Sequence, residues 1–256
     1  ALTANTDGSN TAFGAFSLAA VTTGGNNVAV GREALEANTG DNNTAVGYRA
    51  LEDNTTGASN TALGTIALPN NTTGIDNVSI GHLSMGDNST GSYNVSVGKQ
   101  ALQANTTANN NTAVGYQSLY ANTTGQYNSA LGRLSLDSNT TGSENVAIGN
   151  NALQANTTAS NNVAVGSTAL FSNTTGTNNS ALGIQALYSN VTSNANTAMG
   201  RAALYANTGS QNSGFGSLAL YDNTSGQYNT AVGAEALTNN TTASNNTAVG
   251  YQAGLT

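Results

Sequence analysis

The large apolar residues of this chain stand alone, one at a time, at fixed places in a repeating frame. One precedes a glycine in each of fifteen copies: Phe13, Val30, Val46, Leu63, Ile80, Val97, Val114, Leu131, Ile148, Val165, Leu182, Met199, Phe215, Val232 and Val249. Twelve of the fourteen intervals between these glycines are 17 residues and two are 16. With the glycine as position 0, position −4 is Asn throughout, position −2 is Ala, Ser or Gly, and position +3 is Ala or Ser. Position +4 is Leu in thirteen copies, with Met85 and Gly254 as exceptions, and position +7 is Asn in thirteen of fourteen complete copies, with Val21 as the exception. Both short copies carry Asn-Thr-Gly (Asn38–Gly40, Asn207–Gly209) where most carry Asn-Thr-Thr-Gly, so the missing residue falls in a turn.

This spacing predicts two short strand segments per unit, Thr-Ala-Val before the glycine and Ala-Leu after it, separated by turns rich in Gly and Asn. A helix needs about ten or more periodic residues, and no stretch supplies them. One unit cannot fold alone: burying its large apolar residues gives about 1.5–3 kcal/mol each, against about 1–2 kcal/mol for ordering each backbone residue. Stability must come from stacking units about 4.8 Å apart, with identical residues in ladders and hydrogen bonds running from coil to coil. The expectation is an all-β, parallel β-solenoid (β-roll) over residues 1–256, one repetitive rod excerpted from a longer fibre. The two Asn positions suit amide ladders that satisfy neighbouring turns, and the small positions leave room for close backbone approach. A rod so thin in apolar residues is expected to share its core with copies of itself, as a homotrimer or filament.

Composition narrows the function classes. Only 7% of residues are charged, the twelve acids behind the net charge of −7 are scattered, and no basic run speaks for nucleic-acid binding. No apolar stretch approaches a membrane span. With no cysteine and a single histidine, His82, the chain offers neither disulfides nor thiolate or histidine metal clusters. Acids do not recur in register and the Gly-Gly-x-Gly-x-Asp signature of calcium-binding rolls is missing, so no metal or cofactor is expected. Nothing breaks the repeat to create a catalytic pocket, and the chain reads as a non-enzyme.

The motif Asn-Thr-Ala-Val-Gly at Asn43–Gly47 and Asn111–Gly115, with Asn-Val-Ala-Ile-Gly at Asn145–Gly149, resembles the head repeats of trimeric autotransporter adhesins and repeats of phage tail fibres and related bacterial surface fibres. The resemblance runs the length of the chain. It implies a left-handed parallel β-roll, trimeric association and an adhesive or spacing role, extracellular, on a bacterial surface or a virion tail fibre. The unit here is longer than that of adhesin heads, by the Asn-Thr-Thr-Gly extension.

Three sets of side chains are candidates for chemistry. Position +1 carries Arg32, Lys99, Arg133 and Arg201, alternating with Tyr48 and Tyr116, while Tyr120, Tyr188, Tyr205 and Tyr221 recur at position +5 with Phe171. These rows read either as solvated ladders and turn packing or as a ligand-facing stripe for a host-surface glycan or receptor. Asn54, Asn71, Asn88, Asn105, Asn122, Asn139, Asn156, Asn173, Asn190, Asn223 and Asn240 each head an Asn-x-Ser/Thr acceptor pattern, a glycosylation candidate that the repeat also explains by itself. A third alternative, an ice-binding face, needs Thr-x-Thr on one side of a strand. The paired threonines here are adjacent, so a strand would turn them to opposite faces. The leading expectation is a fibre shaft or adhesive head.

Overall fold

The computed structural model describes residues 8–255. The protein is an all-β parallel β-solenoid of fifteen three-residue strands, one per repeat. Chain contacts divide it after Asn128 into two units. The first holds β1 (Thr11–Phe13), β2 (Val28–Val30), β3 (Thr44–Val46), β4 (Thr61–Leu63), β5 (Val78–Ile80), β6 (Val95–Val97) and β7 (Thr112–Val114). The second holds β8 (Ser129–Leu131), β9 (Val146–Ile148), β10 (Val163–Val165), β11 (Ser180–Leu182), β12 (Thr197–Met199), β13 (Ser213–Phe215), β14 (Thr230–Val232) and β15 (Thr247–Val249). Within each unit every strand pairs in parallel with its sequence neighbours, position for position: Ala45 lies opposite Ala62, and Ala164 opposite Ala181. The two 16-residue repeats keep this register, Val28 pairing with Thr44 and Thr197 with Ser213.

Only the segment before the glycine is a strand. The Ala-Leu segment, expected as a second strand, is turn or, at Ala67-Leu68, bend, because its backbone changes sign twice. Position +2 and position +4 both have positive φ, as at Glu33 (62°) and Leu35 (51°). The first is the third residue of a turn closed by the Ala34 N–H donating to the Gly31 carbonyl, the pattern of a type II turn. These conformations cost about 1–2 kcal/mol per non-glycine residue. They direct successive amides along the stack: Glu33 N–H donates to Ala15 of the preceding coil and Leu35 N–H to Ala50 of the following one, at 2.9 and 3.0 Å. Hydrogen bonds thus run between coils through the turns as well as through the strands.

The core is narrow. Position −2 points inward and holds Ala29, Ala45, Ala62 and their equivalents; opposite sit the Ala or Ser of position +3 and the Leu of position +4, fully buried from Leu18 to Leu204. The closing glycines have φ of 130–142°, and a Cβ on Gly47 would lie 2.3 Å from the carbonyl oxygen of Gly64. The coils pass too closely there for any side chain, which accounts for glycine where another coil follows. At Gly250, whose added Cβ would meet only the Ala253 Cβ at 3.9 Å, the positive φ alone favours it.

The remainder of the interior is asparagine. Both Asn positions are fully buried along most of the chain, and each amide bridges coils. Asn77 donates from Nδ2 to the Gly91 carbonyl (2.8 Å) and to Asn60 Oδ1 (3.1 Å), while its own Oδ1 accepts the Asn94 backbone N–H (3.0 Å). Asn71, at position +7, donates to Asn54 Oδ1 (2.7 Å) and to the Gly74 carbonyl of its own turn (3.0 Å). These are the predicted amide ladders. Their depth in the core follows from the need to satisfy turn amides and carbonyls that bury without a strand partner.

Candidate functional site

The small residue of each strand takes the inward place, so its two neighbours face out. Position −1, which the sequence presents as a large apolar residue in every unit, lies on the outer face of the sheet. Leu182 is 45% exposed and Met199 46%, whereas Leu187 in the same coil as Leu182 is fully buried. Beside this row runs position −3, occupied only by Thr, Val or Ser. Together the two rows make an apolar strip on the sheet of each unit. A shallow groove crosses it in the second unit, lined by Val163, Val165, Ser180, Leu182, Thr197 and Met199, with a volume of about 270 Å³.

The two outward rows are not filled independently. Every strand with Phe, Leu or Met at position −1 has Thr or Ser at position −3: Thr11 with Phe13, Thr61 with Leu63, Ser129 with Leu131, Ser180 with Leu182, Thr197 with Met199, Ser213 with Phe215. Every strand with Val at position −3 has Val or Ile at position −1, as in Val28 with Val30 and Val146 with Ile148. Val at position −3 is thus never beside Phe, Leu or Met, whereas Thr, close to Val in size, stands beside both Val46 and Phe13.

The rows singled out as ligand-facing fall into two sets. Position +1 is exposed at Arg32, Tyr48, Lys99, Tyr116, Arg133 and Arg201. There Arg32 lies over the Tyr48 ring at 5.8 Å and pairs with Glu33 at 2.7 Å, and His82 occupies the same exposed row. Position +5 is half-buried at Tyr120, Tyr188, Tyr205 and Tyr221. Phe171, Tyr188, Tyr205 and Tyr221 form a continuous stack with ring centroids 5.1 Å apart and planes within 4–12° of parallel. A third aromatic row, Tyr93, Tyr127 and Tyr228, stands more than half exposed at the residue before the Asn, with positive φ.

Positions +2 and +5 share a face, because the turn brings residues three apart together. Gln100 donates to Gln103 at 2.9 Å and Asn151 to Gln154 at 2.7 Å, and Arg49 hydrogen-bonds Glu52, which holds its guanidinium pKa above the ordinary value. The same proximity gathers Glu33, Glu36 and Glu52, whose carboxylate oxygens lie within 4.8 Å of one another. That cluster escapes a sequence reading keyed to one register, since it mixes positions +2 and +5 of adjacent coils. Arg49 and Arg32 offset its charge.

The glycosylation candidates sit in the ladder at position +7. From Asn54 to Asn223 these residues are fully buried, and at Asn54, Asn71, Asn156 and Asn173 both Nδ2 hydrogens have partners. Asn240, near the end of the chain, is half-buried and makes the same two bonds. A glycan on these nitrogens would displace the ladder from the core, so the folded chain does not present them as acceptors. The first threonine of the paired set is likewise committed: Thr55 Oγ1 donates to the Thr72 carbonyl at 2.8 Å and Thr174 Oγ1 to the Val191 carbonyl at 3.1 Å. Among the described residues no helix is long and apolar enough to cross a membrane. No protein-family model and no curated protein sequence matches this chain.

Proposed function

We propose that this chain is a segment of a structural fibre, the shaft or adhesive head of a fibre displayed outside a cell or on a virion, and that copies of it pack together through the outer face of the sheet as a homotrimer. The observation that carries the reading is the outward row at position −1, apolar in every strand and 45–46% exposed at Leu182 and Met199, beside which Val at position −3 never joins Phe, Leu or Met. Between two packed surfaces the joint volume is bounded, and overfilling costs about 1–3 kcal/mol per site. An apolar strip repeated coil after coil also exceeds the scattered apolar exposure of ordinary monomer surfaces. A second copy of the chain supplies the same periodic rows at the same spacing, and so matches the strip over its length.

The absence of cysteine allows a direct experiment. Thr197→Cys on the outer face should give a disulfide-linked dimer under mild oxidation, at a yield independent of protein concentration. Tyr228→Cys, in an exposed row away from the strand, should not. Equal cross-linking of both variants, rising with concentration, would contradict packing through the sheet.

A further inference from the structure

The aromatic stack of the second unit is a different feature from the outer sheet face and carries an inference that does not depend on self-association. Phe171, Tyr188, Tyr205 and Tyr221 sit on four successive coils, bounded by Gln154 on one side and Thr238 on the other. Their rings repeat every 5.1 Å, nearly parallel. The hydroxyls of Tyr188, Tyr205 and Tyr221 bond to no group among the described residues, and none is a buried unsatisfied atom, so each keeps some access to solvent on these half-buried side chains. The result is a comb of three phenol hydroxyls in line on a wall of aromatic carbon. Beside it stands Gln185, at the position from which Gln100 and Asn151 reach the side chain three residues on.

We infer that this comb binds an extended β-1,4-linked glycan lying along the solenoid axis, one sugar to each coil. A chain of β-1,4-linked pyranoses is a flat ribbon that advances by nearly the coil spacing per sugar. Alternate sugars are turned over, so each tyrosine meets one sugar edge and the same hydroxyls return at every second coil without loss of register. The stack uses ring faces on one another, which excludes the usual sandwiching of a single sugar against one ring. What remains for the ligand is the row of hydroxyls and ring edges. Peptides in extended form advance by about 3.3 Å per residue and drift out of step within two coils. An α-1,4-linked glucan coils instead of running straight, and cannot follow the comb.

The test is titration calorimetry of the intact chain with cellohexaose, chitohexaose and maltohexaose, alongside shorter β-linked oligomers. One or both β-linked hexamers should bind, identifying a glucan or an N-acetylglucosamine polymer as the source. Affinity should rise with length up to four sugars and then level off, and maltohexaose should not bind. The triple variant Tyr188→Phe, Tyr205→Phe, Tyr221→Phe keeps the stack but removes the hydroxyls, and should bind about tenfold more weakly or worse. Tyr205→Phe alone, the least disruptive change, should show an intermediate loss. No binding of either β-linked hexamer, equal binding of maltohexaose, or undiminished binding by the Phe variants would overturn the inference. Light scattering on the same samples reports assembly separately.

Discussion

At the scale of single residues, the structure explains why position +4 is Leu and position −1 is anything large. Leu35, Leu102 and their equivalents combine full burial with φ near +50°, where a β-branched side chain is disfavoured. The β-branched residues that do adopt positive φ, Ile66 and Thr168, sit at the half-buried position +2. The two exceptions at position +4 keep positive φ as well, Met85 unbranched at Cβ and Gly254 without one. Leu102→Ile, ordinarily a swap costing under about 1.5 kcal/mol, should therefore cost more than that in urea unfolding, while Val97→Ile on the outer face stays near neutral. Asn77→Leu should cost about 1–3 kcal/mol, since it strands a buried backbone N–H on Asn94, while the Gly91 carbonyl keeps its bond from Asn88. Half-buried Asp137 titrates above the ordinary carboxylate range because burial disfavours its charge. Folded chain holds that proton more tightly than unfolded chain, so stability falls as pH rises through the shifted value, and below the ordinary value there is no penalty. Asp137→Asn should accordingly melt higher than the parent at neutral pH and no differently in strong acid. The sequence announces the Leu and Asn positions by recurrence. Its silence about the left-handed backbone has a plain cause: Glu, Gln, Arg and even Ile66 and Thr168 occupy position +2 with positive φ, so no glycine marks the turn.

At the scale of the element, each coil is one strand followed by two turns, held to its neighbours by backbone bonds and by the asparagines. The register was legible because the closing glycine never moves relative to the strand. The inside and outside of the strand were not, since Thr-Ala-Val alternates in both senses: either Ala faces the core, or Thr and Val do. Packing decides it. The section enclosed by two asparagines and one leucine holds nothing larger than serine, and Ala45, Ala62 and Ser79 are buried while Val46 is 38% exposed. Ala62→Val should therefore be strongly destabilising, by about 1–3 kcal/mol or more from overpacking. Because a coil touches chiefly its neighbours, deletion of residues 60–76 as one whole repeat should leave a folded, cooperative protein with nearly the same circular dichroism per residue. Deletion of residues 60–67 should unfold the coils around it.

At the scale of the whole molecule, a 38% apolar chain of 256 residues divides its apolar side chains between a slender interior and an outer strip. Alanine of the strand and leucine of position +4 go in, while position −1, whether valine, isoleucine, leucine, methionine or phenylalanine, goes out. The apolar positions themselves were visible in the sequence. Which of them face outward was not, because periodicity records where side chains recur and not which side of the backbone is already full. The most direct test is the mass of the chain in dilute solution by light scattering. Packing through the outer face predicts three times the 25.5 kDa of one chain, falling to a single, still folded chain when Leu182→Lys and Met199→Lys are combined; a parent mass of 25.5 kDa would contradict the account.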